Sequence, residues 1–412
     1  MSLYFFSSYN NISHNSPAGI CRNSITNRFV SYNNVLANVI NKALYQQLTT
    51  LEEDLDLRAL QLITAELLYR GIIAPIAYQD TEEEYLSSLL LIDQDQRSFF
   101  KVTTINELDL LNITHQPIVF CGIPSDLGAA RPGTRYGPRL LREKSSATLF
   151  RSDSELCLLD LSSDCQNVFA QGDGFYDLGD INLQNLKLQT ALDKVKIVSS
   201  AIAKVGIPFF IGGDHLFTLP IIEGIWQTKQ KEFLIVQLDN HLDIQSWDEF
   251  EGDKPKILTK PTHANFISWI HYKMPNLKLL QIGIDNYQPI NKKYHKHFVN
   301  YLSDIGTRIS NLQLSLASQD MIAKQLPSAQ DIYLSLDVDI LNTIYLNATG
   351  YPASLGIDLA MLQFLINYLC TNNRLVGVDI MEFGSTQQHD KHADMAAIIV
   401  NIMLEILKNI KK

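Results

Sequence analysis

Asp239-Asn240-His241-Leu242-Asp243 follows directly on the apolar run Phe233-Leu234-Ile235-Val236-Gln237-Leu238. Successive residues of an extended chain point to opposite sides, so Asp239, His241 and Asp243 fall on one face. Carboxylate, imidazole, carboxylate at that spacing is a metal-ligand pattern. A second apolar run, Asp331-Ile332-Tyr333-Leu334-Ser335-Leu336, ends in Asp337-Val338-Asp339, and a third, Pro208-Phe209-Phe210-Ile211, leads into Gly212-Gly213-Asp214-His215. None of these segments contains cysteine, which argues against a thiolate zinc site; imidazole with carboxylate suits a hard to borderline ion such as manganese. Two imidazoles and the carboxylates of Asp239, Asp243, Asp337 and Asp339 are too many for one ion. Two ions sharing bridging carboxylates fit better, and such pairs activate a water between them. A centre of that make-up is slightly negative and would welcome a cationic substrate.

The elements that must position these residues are apolar strands separated by helical stretches. Strands are expected at 118–123, 208–211, 233–238, 277–284, 332–336 and 375–380, with helical patterns at 188–205 and 359–368. Continuous apolar strands alternating with helices indicate an α/β fold, a parallel sheet covered on both faces. In such sheets sites lie beyond the carboxyl ends of the strands, where these ligands fall.

These residues, with their neighbours, resemble the ureohydrolases, the arginase and agmatinase superfamily. The similar motifs are Gly212-Gly213-Asp214-His215, Asp239-Asn240-His241-Leu242-Asp243 and Ser335-Leu336-Asp337-Val338-Asp339. Gly122-Ile123-Pro124-Ser125-Asp126-Leu127-Gly128, Arg131-Pro132-Gly133-Thr134-Arg135-Tyr136-Gly137-Pro138, Asp177-Leu178-Gly179-Asp180 and Gly377-Val378-Asp379-Ile380-Met381-Glu382 complete the set, in family order over about 115–410. The resemblance implies a three-layer α/β sandwich and a homo-oligomer. It also implies two manganese ions per chain, with nickel or another divalent ion as alternatives. One ion would be held by His215, Asp239, Asp243 and Asp337, the other by His241, Asp239, Asp337 and Asp339. A hydroxide between them would attack the guanidinium carbon, oriented by Asp243, and urea would leave. Glu382 matches the carboxylate that holds the guanidinium, and His263 the histidine that moves a proton toward the leaving amine, a task suited to imidazole. His14, His115, His271, His295, His297, His389 and His392 read as surface or structural groups.

At 412 residues and 46% hydrophobic, the chain can bury one sizeable core and a smaller module. Its net charge of -10 argues against nucleic-acid binding. No apolar run is long enough to span a membrane, and the start lacks a secretory signal pattern. Five cysteines at scattered spacings read as reduced thiols, so a cytoplasmic location is expected.

The division expected is an N-terminal module over 1–110 and a catalytic domain over 111–412. The opening is polar and reads as irregular. Helical spacing follows at Val35, Leu36, Val39, Ile40, Ala43, Leu44 and Leu48. A capping box at Thr50 and Glu53 opens a second amphipathic helix ended by Gly71. With a wing at 72–78 the module is somewhat winged-helix-like, a shape that can hold a leader peptide; an appendage that packs on the core is the alternative.

Departures from the family bear on the substrate. The acidic pair that holds the α-amino group of free arginine would align near Gln288 and Asn291, neither of which is charged. A charge-assisted hydrogen bond lost there is worth about 1.5–3 kcal/mol. The stretch between Asp243 and His263, which holds the acidic run 247–253, is longer than in compact relatives, Ile340-Leu341-Asn342-Thr343 lacks the usual Asp-Pro, and Asn347-Ala348-Thr349-Gly350 replaces a Pro-Gly-Thr-Gly turn. The missing α-amino contacts, the long acidic stretch and the extra N-terminal helical module together point to an arginine-containing precursor peptide, with peptidyl arginine converted to ornithine. A small guanidino substrate such as agmatine, a guanidino acid, guanidine or free arginine is the alternative, followed by a formimino hydrolase or a non-catalytic binding protein.

Overall fold

The structure is a computed structural model. It describes residues 97–410 apart from 106–109, 111–112, 114–115, 149–156, 161–165, 171–173, 184–185, 245–249, 256–259 and 385–391, together with 4–6, 10–15, 18–23, 29–32, 67, 73–75 and 92–93. The backbone divides into two compact units, Met1–Leu91 and Ile92–Lys412.

Within the first unit, Asn10–Asn15, Ala18–Asn23 and Phe29–Tyr32 form an antiparallel three-stranded sheet, and Tyr4–Phe6 pairs antiparallel with Ile73–Pro75. The polar opening is therefore extended and paired, where its sequence reads as irregular. Asn and Ser carry weak strand propensity, and cross-strand pairing overrides it. The helical patterns over 35–48 and 50–71 lie outside the described residues apart from Leu67, which is helical and buried; the extended segment expected at 72–78 coincides with Ile73–Pro75.

The second unit is built on one large sheet. Its strands are β1 (Ile92–Asp93), β2 (Thr103–Thr104), β3 (Ile118–Gly122), β4 (Phe175–Ile181), β5 (Ile207–Ile211), β6 (Leu234–Leu238), β7 (Lys278–Ile284), β8 (Gly306–Ser310), β9 (Asp331–Asp337) and β10 (Arg374–Met381). They lie in the order β8-β7-β6-β9-β10-β5-β3-β4-β1, with β2 also beside β4. All pairings are parallel except β4 with the edge strand β1. All six strands expected from sequence are present. β4 was not among them because Asp177, Gly179 and Asp180 break its apolar pattern. The two aspartates are accommodated by Arg142, fully buried on α1 (Gly137–Thr148), which donates to both. Burial opposes the guanidinium charge, but Asp177 and Asp180 outweigh it and hold its pKa above the usual value.

Alternate residues of the strands face two different layers. Phe120, Phe209, Ile211, Val236, Leu238, Leu334, Leu336, Val378 and Ile380 join the main core with α1, α6 (Leu359–Asn372) and α7 (His392–Ile410). The helices α2 (Leu188–Val205), α3 (Thr218–Lys229) and α4 (Phe266–Lys273) pack in succession on one another. The result is an α/β sandwich around a parallel sheet. Its register sets the site: Gly122, Ile211, Ile380, Leu336 and Leu238 are paired in one row across β3, β5, β10, β9 and β6. Residues that follow these positions emerge at one level.

Candidate active site

Beyond that row the three ligand segments converge. Gly212-Gly213 turns the chain from β5 so tightly that a Cβ on Gly213 would stand 1.7 Å from the Ser125 carbonyl oxygen. Asp214 then accepts from the Leu216 and Gly128 amides, at 3.1 and 3.0 Å, and starts the single turn His215–Phe217. This sets His215 inward, fully buried. From β6 and β9, on the far side of β10, come Asp239, buried without exposure, and Asp337 and Asp339, which are nearly so.

His215 Nδ1 lies 3.2 Å from Asp239 Oδ2, 3.4 Å from Asp243 Oδ2 and 3.1 Å from Asp337 Oδ2. None of these contacts has hydrogen-bond geometry, and Nδ1 has no hydrogen-bond partner among the described residues. His241 Nδ1 lies 3.0 Å from Asp339 Oδ2 and 3.7 Å from Asp239 Oδ1. Two potential metal triads result, His215-Asp239-Asp337 and Asp239-His241-Asp339, which share Asp239. Burial, reinforced by the neighbouring carboxylates, pushes the Asp337 pKa well up and that of Asp243 to about 7. Asp339 is pushed up to about 6 by burial, against the pull of His241. Buried carboxylates this close call for cations between them, and the imidazole and carboxylate donors fit two divalent ions.

A row of polar residues, Gln237 and Gln281 buried and Arg308 half-buried, lies beneath the candidate ligands. Arg308 Nε donates to Gln281 Oε1 at 3.0 Å, which leaves Gln281 Nε2 to donate to Gln237 Oε1 at 2.9 Å. Gln237 Nε2 in turn donates to Asp239 Oδ2 at 2.5 Å and Asp243 Oδ2 at 3.1 Å. Arginine is only a donor, so it fixes the orientation of both amides. On the next strands His215 Nε2 meets Ser335 Oγ at 2.9 Å. Ser335, Thr218 and Tyr333 all donate to Asp379. Sequence patterning missed Gln237, Gln281 and Arg308. The available signal was polar residues at facing positions within otherwise apolar strands.

Asp243 and Glu382 have φ of 50° and 64°, a backbone region that is costly for residues other than glycine and tends to occur at functional sites. The Glu382 Oε1 atom accepts from the His215 amide at 2.9 Å. Its pKa is raised well above the usual range by burial and by Asp337 and Asp214. His263 packs against Tyr351, with ring centroids 5.5 Å apart. Burial, with His215 and His241 adding to it, holds the His263 imidazole down at about 4, hence neutral. A cavity of about 380 Å³ is lined by His215, His241, Asp243, His263, Asp337, Asp339 and Glu382, with Asp239 buried behind them. The structure thus brings together all the candidate residues read from the sequence.

Gln288 also lines the cavity, whereas Asn291 instead caps a short turn by accepting from the Lys293 amide. The long insertion is pinned to α5 (His295–Ile305): Asp253 bonds His297 and Asn300, and Phe250 packs on Phe298 and Tyr301. Residues 247–249 of that insertion lie outside the described residues. His271 packs on Tyr301; neither it, His295 nor His297 lines the cavity. The side chains of His14, His115, His389 and His392 lie outside the described residues. Among the described residues no helix is long and apolar enough to cross a membrane.

Known proteins share this architecture. The chain is 27% identical over 297 residues to the human mitochondrial guanidino acid hydrolase, covering 70% of this chain and 76% of that one. It is 23% identical over 285 residues to an agmatinase of Bacillus anthracis, covering 68% and 88%. The solved proclavaminate amidino hydrolase of Streptomyces clavuligerus superposes with a TM-score of 0.61 at 20% identity, covering 77% of this chain and 97% of that one. Residues 116–408, which include every candidate site residue, match the family described as Arginase, and the chain belongs to that family.

Proposed function

We propose that this chain hydrolyses the guanidinium group of a small guanidino compound, releasing urea and the corresponding amine. The observation that carries the reading is the pair of ligand triads sharing Asp239 at the floor of a cavity that also holds Glu382. Two divalent ions held there, manganese in the first instance and nickel as an alternative, would supply a water activated at neutral pH.

The remaining roles belong to the chain. Glu382 receives the guanidinium: a bound cation offsets the burial and neighbouring charges that otherwise favour its protonated form. Asp243, held by Gln237, orients the attacking water. His263 is neutral, so its imidazole can accept a proton and pass it toward the departing nitrogen, whose bond to the guanidinium carbon breaks as urea forms. Water supplies the oxygen of urea, and the amine leaves protonated.

The relatives, named for guanidino acid, agmatine and proclavaminate chemistry, support a small substrate. Conversion of peptidyl arginine to ornithine is a second reading, favoured by the separate unit Met1–Leu91 and by the uncharged Gln288 at the cavity. A cytoplasmic homo-oligomer accompanies either reading. The test is urea release by manganese-loaded and chelator-treated protein, with formamide assayed in parallel on formimino compounds. Metal-dependent urea is expected; formamide alone, or no product from any guanidine, would overturn the reading.

A further inference from the structure

Arg131 stands beside this cavity and is exposed, with no carboxylate partner among the described residues. Its neighbour Ala130 lines the cavity, as does Tyr351. The Arg131 guanidinium carbon sits 4.5 Å from the centroid of the Tyr351 ring, and Nη1 donates to the Gly350 carbonyl oxygen at 2.9 Å. That ring lies 5.5 Å from His263 and 6.3 Å from His241, centroid to centroid. Gly350 ties the rim to the floor: a Cβ on it would stand 3.7 Å from Glu382 Oε2 and 3.9 Å from Arg131 Cβ. Arg131 therefore follows directly on a residue of the cavity wall and stacks on another, Tyr351.

The other arginines of this segment are already engaged. Arg135 is paired with Asp126 at 2.7 Å, Arg139 lies 3.5 Å from Glu143, and Arg142 is buried against Asp177 and Asp180. Among the described residues no carboxylate pairs with Arg131. Guanidinium carries five N–H donors in a planar fork suited to a carboxylate, and stacking on a ring leaves its edge open. A substrate whose far end is anionic would be repelled by the carboxylates of the floor and would need a cation here. A far-end ammonium would meet Arg131 as a like charge.

We propose that Arg131, braced by Tyr351 and Gly350, anchors a carboxylate at the far end of the substrate, so that the chain takes guanidino acids in preference to guanidino amines. The proposal rests on the guanidine-hydrolysing reading above. Urea release by the manganese-loaded full chain is compared for three guanidines of similar reach: 4-guanidinobutyrate, uncharged-tailed butylguanidine and agmatine. The expected kcat/KM for the acid exceeds that for butylguanidine by about 10- to 100-fold, the range of one charge-assisted hydrogen bond, with agmatine lowest. Arg131→Gln should bring that ratio toward one, mainly through KM for the acid, and Arg131→Lys should restore part of it as a point charge without the fork.

Equal kcat/KM for the acid and butylguanidine in the unaltered chain would overturn the anchor without any variant. So would an equal loss on both substrates in Arg131→Gln, or turnover confined to arginine within a peptide. In each of these cases guanidine hydrolysis itself would stand. Urea from none of the three guanidines and none from an arginine-containing peptide assayed beside them would instead sink the underlying reading.

Discussion

The floor and the rim of the cavity are built by different means. At the floor, Asp239 follows directly on β6, Asp337 ends β9 with Asp339 just beyond, and His215 stands past the Gly-Gly turn after β5; all four are almost wholly buried. At the rim, Arg131, Gln288 and Tyr351 sit on loops, and Arg131 is exposed. Sheet register leaves the floor little freedom, because shifting a strand by one residue would turn every ligand to the other face. Loops can vary without disturbing the core. The contrast teaches that this fold positions its candidate metal ligands through sheet register and its cavity rim through loops.

Four experiments would sharpen or break that contrast. The largest effect is expected from Asp239→Ala, which removes the ligand shared by both triads: metal content should fall to near zero by elemental analysis and urea release to background. Normal activity in this variant would show that the paired triads are not the reactive centre. Next, Gln237→Leu keeps every ligand but removes the donor to Asp239 and Asp243. Metal affinity should fall about 10- to 100-fold, measured by titration against a chelating dye. An unchanged affinity would mean that the polar row beneath the ligands does not position them.

Metal removal gives the third. In the metal-free protein the raised pKa values of Asp243, about 7, and Asp339, about 6, mean carboxyls that are still partly protonated at pH 6. Loading should therefore release protons at pH 6 and fewer above pH 7, as calorimetry in buffers of different ionisation enthalpy would register. Because these folded-state values exceed the unfolded one, their contribution to metal-free stability is full below about pH 4 and is lost as the pH rises through 6 to 7. A metal-free midpoint of denaturation that increases with pH over this window would contradict the assignment. The smallest effect belongs to the rim: Tyr351→Leu removes the face beneath Arg131, and a change of about 2- to 5-fold in KM is expected, with metal content intact. Loss of metal in this variant would blur the line between rim and floor.

The sequence by itself determined the candidate ligand set, the strands that lead into it and the parallel α/β architecture. The reason is local: apolar runs ending in alternate carboxylate and imidazole residues declare both strand and ligand through a period of two. It was less informative where a strand departs from that period. β4 hides behind Asp177 and Asp180, whose burial depends on Arg142 from a helix 35 residues earlier in the chain than Asp177. The amide row of Gln237 and Gln281 depends on the pairing of β6 with β7, and its direction on Arg308 from β8. Arg131 and Tyr351 meet across a separation of 220 residues, which no spacing within either loop encodes. Contacts of that kind come from how strands are ordered in the sheet, so only the tertiary structure decided which side chains face the substrate and which merely lie near it in sequence.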